Sequence, residues 1–374
     1  MPRRPLLVLA DDLTGAAEVA AIAHQAGLRA VVFTQPPRGP VDADVLVIDT
    51  DTRLASPARA ARQVRACVSR LKKLPQAGFF KKTDSVLRGP VLAELAACAQ
   101  VLGFRRVLLV PANPSLRRVI RDGRCFIAGR PLHETAFARD PHHPARSSAV
   151  LERLGVHKSL PAFSRSPGAR LPHDGVIVGD ARTAADIADW AAAVNRHTLP
   201  AGGADFFRAW LHLQTGTPRT APGFALPAGG ALLLHGTTSA PVDGRALVFR
   251  GTRAPATARV AGALRDRGSV AVAAATRASR DPRAPAAISR GFATLARRLH
   301  AASAFRHLLI AGGATAAAVL RDLGWSRLEV VRVWGPGVVT LQPFAASGFA
   351  VTLKPGSYPW PPGIRRSVPA VFAP

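Results

Sequence analysis

Short apolar runs that stop abruptly at charged, glycine-containing loops are the feature that most restricts this chain. Ala10-Asp11-Asp12-Leu13-Thr14-Gly15 closes the apolar run that starts at Pro5, and Lys81-Lys82-Thr83-Asp84-Ser85-Val86-Leu87-Arg88-Gly89 follows Phe79-Phe80. Each loop leads into an apolar-periodic stretch of helical length, Gly15–Ala26 and Val91–Leu102. A buried strand, a polar loop and a helix in that order make the repeating unit of an α/β sheet. Ligands of such sheets bind beyond the carboxyl ends of the strands, which is where these loops belong. Carboxylates, ammonium groups, hydroxyls and glycines gathered there predict a site for a polar, anionic small molecule.

The same alternation continues along the chain. Ala30–Phe33 is read as the strand that completes a βαβ unit with the first one. Val45–Ile48 is a strand ahead of Asp49-Thr50-Asp51-Thr52-Arg53, and Pro57 opens a helix, since proline suits the first helical turn. Arg106–Val110 runs into Pro111-Ala112-Asn113-Pro114-Ser115, and Cys125–Leu132 reads as a hairpin or an excursion over the sheet. Residues 215–230 are rich in proline and glycine and form the best linker candidate. Beyond it, strands at Ala231–Leu234, Val270–Ala274, His307–Ala311, Leu328–Val333 and Phe349–Leu353 alternate with helices near Thr257–Arg265, Ala287–His300 and Thr315–Leu323. A chain of 374 residues is long for one core and comfortable for two. The expected fold is therefore α/β in two domains, residues 1–214 and 231–374, each with a mostly parallel sheet flanked by helices.

Composition removes several function classes. Hydrophobic residues make up 48% and charged residues 20%, a globular balance. No apolar run approaches a membrane span. Arg3 and Arg4 precede Leu6–Ala10, but that run is too short for a signal peptide and ends at Asp11 and Asp12, so a cytoplasmic location is expected. Cys67, Cys98 and Cys125 form no C-x-x-C pair and no even framework. The net charge of +27 suggests a polyanion partner. Lysine, however, stands only at 72, 73, 81, 82, 158 and 354, the arginines are dispersed, and a patch rather than a total marks nucleic-acid binding. Arginine-rich, methionine-poor usage fits a GC-rich genome, and nucleic acid is set aside as a partner despite the charge. His133, Glu134, Asp140, His142 and His143 are metal-ligating types, but no two of these histidines have the H-E-x-x-H spacing, so no metal ligand is assigned.

The charged loops carry definable chemistry. Asp11 and Asp12 can take a proton from an attacking hydroxyl, accept hydrogen bonds from a polyhydroxylated substrate, or hold Mg²⁺ through oxygen; Asp12 can equally cap the following helix. Lys82 and Arg88 suit a carboxylate or phosphate, arginine bidentately. Asp84 and Ser85 suit hydroxyls, and Gly89 lets the backbone approach. In the second half, His307–Ala311 leads into Gly312-Gly313-Ala314-Thr315-Ala316, a strand, glycine pair and helix start that can hold phosphate on backbone N–H groups. There is no G-x-x-x-x-G-K-[ST], G-x-S-x-G or G-x-G-x-x-G, which excludes the Walker loop, the nucleophile elbow and the dinucleotide fingerprint.

In combination these segments resemble the four-carbon acid sugar kinases, ATP-dependent enzymes that phosphorylate tetronates and 3-oxo-tetronates. The family's A-D-D-[LF]-T-G-A matches Ala10–Ala16, its D-T-x-T/S-R matches Asp49–Arg53, and its K-K-x-D-S-T-L-R-G matches Lys81–Gly89 with Val86 for threonine. Its P-A-x-P and G-x-P-L-x-E-T-x-F-x-x-D-P match Pro111–Pro114 and Gly129–Pro141. The resemblance implies an acid-sugar-binding N-terminal domain, a nucleotide-binding C-terminal domain, and the use of ATP and Mg²⁺. Carried onto this chain, it makes Asp12 the acceptor of the attacking hydroxyl's proton. Asp11, Thr14, Arg53, Lys82, Asp84, Ser85, Arg88 and Asn113 then bind the sugar acid, its carboxylate near Lys82 or Arg88. Ser239, Gly312, Gly313, Ala314, Thr315 and Gly356 bind the nucleotide. Closure of the two domains would exclude water from the transfer. The second half departs from the pattern: Gly236-Thr237-Thr238-Ser239 stands for G-S-x-S, Ala314 for the acid of G-G-[DE]-T, and Lys354-Pro355-Gly356-Ser357-Tyr358-Pro359 for K-S-G-x-F-G. A divergent member that binds an acidic metabolite with weak or no phosphate transfer is the alternative these departures raise. Homo-oligomerisation stays open, and a membrane partner is not expected.

Overall fold

The computed structural model describes residues 4–140, 142–155, 160–215, 223–236, 246–249, 252–274, 283–356 and 358–372. The first half holds β1 (Leu6–Ala10), α1 (Leu13–Gln25), β2 (Ala30–Phe33), β3 (Val45–Asp49), α2 (Pro57–Leu71), β4 (Gly78–Lys82), α3 (Val91–Leu102) and β5 (Arg106–Val110). It continues with β6 (Arg118–Arg121), β7 (Arg124–Ile127), β8 (Arg130–Pro131), α4 (Val150–Leu154), β9 (Ala162–Arg165), β10 (Gly175–Gly179), α5 (Ala184–Ala192), β11 (Thr198–Gly202) and α6 (Ala204–Thr215). The second half holds β12 (Ala231–His235), β13 (Leu247–Val248), α7 (Thr257–Arg267), β14 (Ser269–Ala273), α8 (Ala284–Ala301), β15 (His307–Ala311) and α9 (Gly313–Asp322). It ends with β16 (Arg327–Gly335), β17 (Val338–Pro343), β18 (Ala350–Lys354), α10 (Pro362–Ser367) and α11 (Pro369–Phe372). The chain divides into two compact units. Among the described residues the first runs to Leu28 and from Gln35 to Thr215; the second takes Arg29–Thr34 and everything from Gly223.

The first unit is a seven-stranded, all-parallel sheet in the order β3-β1-β4-β11-β5-β10-β9. Its strands read as unbroken apolar runs because a parallel sheet is buried on both faces, and no residue of β1 is more than 5% exposed. Neither β11 nor α6 is apparent in the sequence pattern, because Pro200, Gly202 and Gly203 interrupt it. Those glycines are required sterically: a Cβ at Gly202 would lie 2.1 Å from the Val110 carbonyl oxygen, and one at Gly203 2.4 Å from Asn113 Oδ1. The close passage seats α6 on β4, where Phe80 meets Phe206, Phe207 and Trp210 with ring centroids 5.8, 5.0 and 5.4 Å apart. Strands β6, β7 and β8 form a small antiparallel sheet; the hairpin or excursion expected over Cys125–Leu132 covers β7 and β8, and β6 precedes it.

The second unit has the order β13-β14-β12-β15-β18-β17-β16-β2, parallel as far as β18 and antiparallel beyond. Here the sequence reading needs correction. Strand β2 does not complete a βαβ unit with β1; β1 pairs β3 and β4, while β2 pairs antiparallel with β16. Arg29, just before β2, fixes that pairing with two 3.0 Å bonds to the Glu329 carboxylate. A buried polar chain crosses the antiparallel half: Trp334 Nε1 donates to Thr340 Oγ1 (2.7 Å), which meets Thr352 Oγ1 (2.6 Å), which meets His307 Nε2 (2.7 Å). Burial lowers the His307 pKa to about 4, so its imidazole is neutral. Among the described residues no helix is long and apolar enough to cross a membrane. Of the 215–230 linker, residues 216–222 lie outside the described residues.

Candidate functional site

Both charged loops of the first unit lie at the carboxyl ends of adjacent strands. β1 ends at Ala10 and β4 at Lys82, two residues in register with each other, and β3 brings Asp49 beside Ala10. Asp12 leaves the strand in extended conformation and caps α1: its Oδ1 accepts from the Gly15 amide at 2.8 Å. Gly15 cannot be larger, since a Cβ there would sit 2.7 Å from that same oxygen. The cap and the charged site are therefore one structure, not competing readings of one residue.

Arg53 ties the loops together. Its Nε and Nη2 donate to Asp11 at 2.7 and 3.0 Å, and its Nη1 donates to Asp12 Oδ2 at 2.6 Å. Thr14 Oγ1 donates to the same Asp12 oxygen at 2.5 Å. Burial opposes the charge on Asp11, but Arg53 and Lys81 hold its carboxyl below the ordinary range. The two aspartates differ in access: the Asp11 side chain is 3% exposed and that of Asp12 20%, so Asp12 is the member of the pair that a ligand can reach. Asp49 lies just behind, where burial pushes its carboxyl well above the ordinary range.

The second loop is equally tied. Arg88 gives Nε and Nη2 to Asp84 at 3.1 and 2.8 Å and Nη1 to Asp140 at 3.2 Å. Burial again opposes, but Arg88 and Arg53 drive the Asp84 carboxyl far below its ordinary range. Lys82 pairs with Glu18 at 3.2 Å and Lys81 with Glu94 at 2.7 Å. Lys81 is wholly buried, which works against its charge; Glu94 and Asp11 facing it nonetheless raise its pKa. Leu87 takes a left-handed φ of 59°, and Gly89, at φ 88°, packs with its Cβ position 3.0 Å from the Arg53 carbonyl oxygen. The turn is thus pressed onto the backbone of the arginine that organises the other loop.

The excursion after β5 reaches back to the same place. Arg118 Nη1 donates to Ser85 Oγ at 2.7 Å, and His143 Nε2 lies 2.9 Å from the Arg53 carbonyl oxygen. Phe137 lies against both Arg88 and Arg118, with guanidinium carbons 5.4 and 5.7 Å from its ring centroid. Glu18, Glu94, Phe137 and Asp140 are the partners sequence reasoning missed. Of these only Phe137 and Asp140 carried a signal, as members of the Gly129–Pro141 stretch. The structure gathers Asp11, Asp12, Thr14, Arg53, Lys82, Asp84, Ser85 and Arg88 in this network. Asn113 is tied to it through its backbone, which exchanges hydrogen bonds of 2.8 and 3.1 Å with Arg118, while its side-chain Oδ1 accepts from the Asp205 amide at 3.1 Å, at the start of α6.

The strand ends of the second unit are built differently. The Gly312 amide donates to the Lys354 carbonyl (3.0 Å) and the Gly236 amide to the Ala311 carbonyl (3.0 Å), which places Gly236, Gly312 and Lys354 side by side. Gly312, at φ 110°, precedes α9, and among the described residues no side chain caps that helix. The amides of Gly313, Ala314 and Thr315 in its first turn are thus available to an anion. A Cβ at Gly236 would lie 2.0 Å from Thr315 Oγ1, so this residue must be glycine. Ala314 is exposed. Lys354 is buried, donates to the carbonyls of Pro355, Gly356 and Tyr358, and has no carboxylate partner among the described residues. Burial lowers its pKa to about 8. Ser239 lies outside the described residues. Among the described residues no three metal-ligating side chains converge.

Comparison with known proteins places this geometry. Residues 6–210 match the family model for a sugar-binding N-terminal domain, and residues 237–358 match that for a nucleotide-binding C-terminal domain. A D-threonate kinase of Salmonella typhimurium is 32% identical over 42% of this chain and 38% of its own. The match thus spans well under two thirds of that relative's length. A 3-oxo-tetronate kinase of Brucella melitensis is 27% identical over 94% of this chain and 92% of its own. The crystal structure of a Haemophilus influenzae protein superposes with a TM-score of 0.73 at 18% identity, over 94% of this chain and 97% of that one, which shows a shared fold. The chain belongs to the four-carbon acid sugar kinase family.

Proposed function

We propose that the protein transfers the terminal phosphoryl group of ATP to a hydroxyl of a four-carbon acid sugar, a tetronate or 3-oxo-tetronate. The observation that carries this reading is the Arg53-centred pair of carboxylates, in which Asp11 is buried and Asp12 is accessible. Asp12 is held from three sides, by Arg53, Thr14 and Gly15, so its orientation is fixed before substrate arrives. In the proposed step a substrate hydroxyl gives its proton to Asp12, its oxygen bonds to the terminal phosphorus, and the bond from that phosphorus to the ADP oxygen breaks. Asp84, Ser85 and the neighbouring charged groups frame the substrate. The amides at the start of α9, with Lys354, suit the phosphates. Mg²⁺ bound to ATP would offset phosphate charge; the described side chains form no site of their own for it. Cytoplasmic location follows from this reading, since ATP is the donor.

ATP consumption against D-threonate, D-erythronate and 3-oxo-tetronates tests the proposal. Replacement Asp12→Asn should lower kcat by about 10²- to 10⁴-fold, the usual range for a lost general base. Turnover unaffected by that change would remove Asp12 from the reaction. A second reading, an acid-binding relative without transfer, draws on the exposed Ala314 in place of an acidic residue. Acid binding with no ATP consumption would favour it.

A further inference from the structure

We infer that Arg118, rather than Lys82 or Arg88, receives the carboxylate of the sugar acid; the inference rests on the acid-sugar reading above. Charge pairing is the ground. Arg53 spends all three of its nitrogens on Asp11 and Asp12. Arg88 spends all three on Asp84 and Asp140. Lys82 and Lys81 face Glu18 and Glu94. An incoming carboxylate at any of these would have to displace a protein carboxylate already desolvated with its partner, and breaking such a pair is expensive.

Arg118 is different. It is half-buried, and among the described residues its guanidinium makes one hydrogen bond, from Nη1 to the neutral Ser85 hydroxyl. Its other contact is the face of Phe137, which holds the guanidinium in place without neutralising it. Among the described residues no carboxylate pairs with it, and its Nε–Nη2 edge has no acceptor. That edge is the fork that a carboxylate fits with two parallel bonds. Ser85, Arg88 and Phe137 place this fork beside the loop that ends at Gly89. Arg153, another arginine at this loop with no carboxylate paired to it among the described residues, instead gives its Nε to the Val86 carbonyl and lines a cavity of about 360 Å³ with His143, Arg146 and Glu152.

The test compares a sugar acid with its carboxamide, in direct calorimetric binding without ATP and in turnover with it. The native protein should prefer the acid by about 10- to 100-fold, the value of a charged bidentate contact. Arg118→Met should abolish that preference while ATP affinity and the thermal midpoint hold, and Arg118→Lys should restore part of it. Arg153→Met should leave the preference intact. If Arg118→Met keeps the preference, or Arg153→Met removes it, the inference is overturned. If acid binding depends on Arg118 but no phosphate is transferred, the kinase reading fails and the carboxylate assignment stands. If phosphate is transferred and the preference ignores Arg118, the reverse holds.

Discussion

At the strand ends of the first unit Arg53, Arg88, Lys81 and Lys82 are each met by protein carboxylates, and the loops are locked before any ligand arrives. At the strand ends of the second unit the donors among the described residues are backbone amides and Lys354, which has no carboxylate partner among them. The difference suits the ligands proposed for the two sites. A small hydroxy-acid offers several groups at fixed angles, which only oriented side chains can read. A polyphosphate offers concentrated negative charge, for which a helix start and an ammonium group suffice. Charge pairing ties the first unit's loops together; in the proposed reading, the helix start and Lys354 give the second unit its attraction for an anion.

Breaking the paired network should have the largest effect. Arg53→Ala leaves Asp11 and Asp12 side by side with no cation between them, and removing one partner of a buried pair costs about 3–5 kcal/mol. The urea midpoint should fall accordingly; an unchanged midpoint would mean that the network adds nothing to stability. Gly236→Ala should act on the second unit alone. Its Cβ would lie 2.0 Å from Thr315 Oγ1, forcing the first turn of α9 to move. Overpacking of this kind costs about 1–3 kcal/mol, so ATP should bind about tenfold more weakly or worse, with acid binding intact. Calorimetry with each ligand separates the two, and undiminished ATP binding would take the glycine turn out of the nucleotide site.

The smallest effect sharpens the comparison through pH. Lys354 titrates near 8, because burial disfavours its charge. Below that value it is protonated and attracts phosphate; above it the attraction fades. ATP should therefore bind up to about tenfold more weakly at pH 9 than at pH 7, the worth of one pKa unit. Without ligand the sign for stability is opposite. The unfolded chain binds more protons than the native one between about 8 and the ordinary lysine value of 10.5, so Lys354 makes stability rise with pH across that window. Lys354→Met should flatten both profiles, and a profile that survives the replacement would assign the pH dependence elsewhere.

Much of the first unit was legible because its signals are local. The run Leu6–Ala10, the cap at Asp12 and the helix Val91–Leu102 are each written within a few residues. The composition of the Lys81–Gly89 loop likewise marks a site. What sequence could not give is which charges cancel. Lys82 and Arg88 look free in a linear reading, and only the fold brings Glu18 and Asp140 against them. Strand β2 was misplaced for the same reason: its partner β16 lies about 300 residues away, and nothing local distinguishes a βαβ strand from an antiparallel one. Strand β11 stayed hidden because its proline and glycines, which tertiary packing demands, erase the apolar pattern.

Phosphorus NMR of the protein with Mg-ATP and a panel of four-carbon acids addresses the central claim most directly. The account predicts that the terminal phosphate resonance of ATP is lost as a phosphomonoester signal on one of the acids appears, one phosphate per ADP formed, and that Asp12→Asn suppresses both changes. ATP that stays intact with every acid, or that yields only inorganic phosphate, would contradict it.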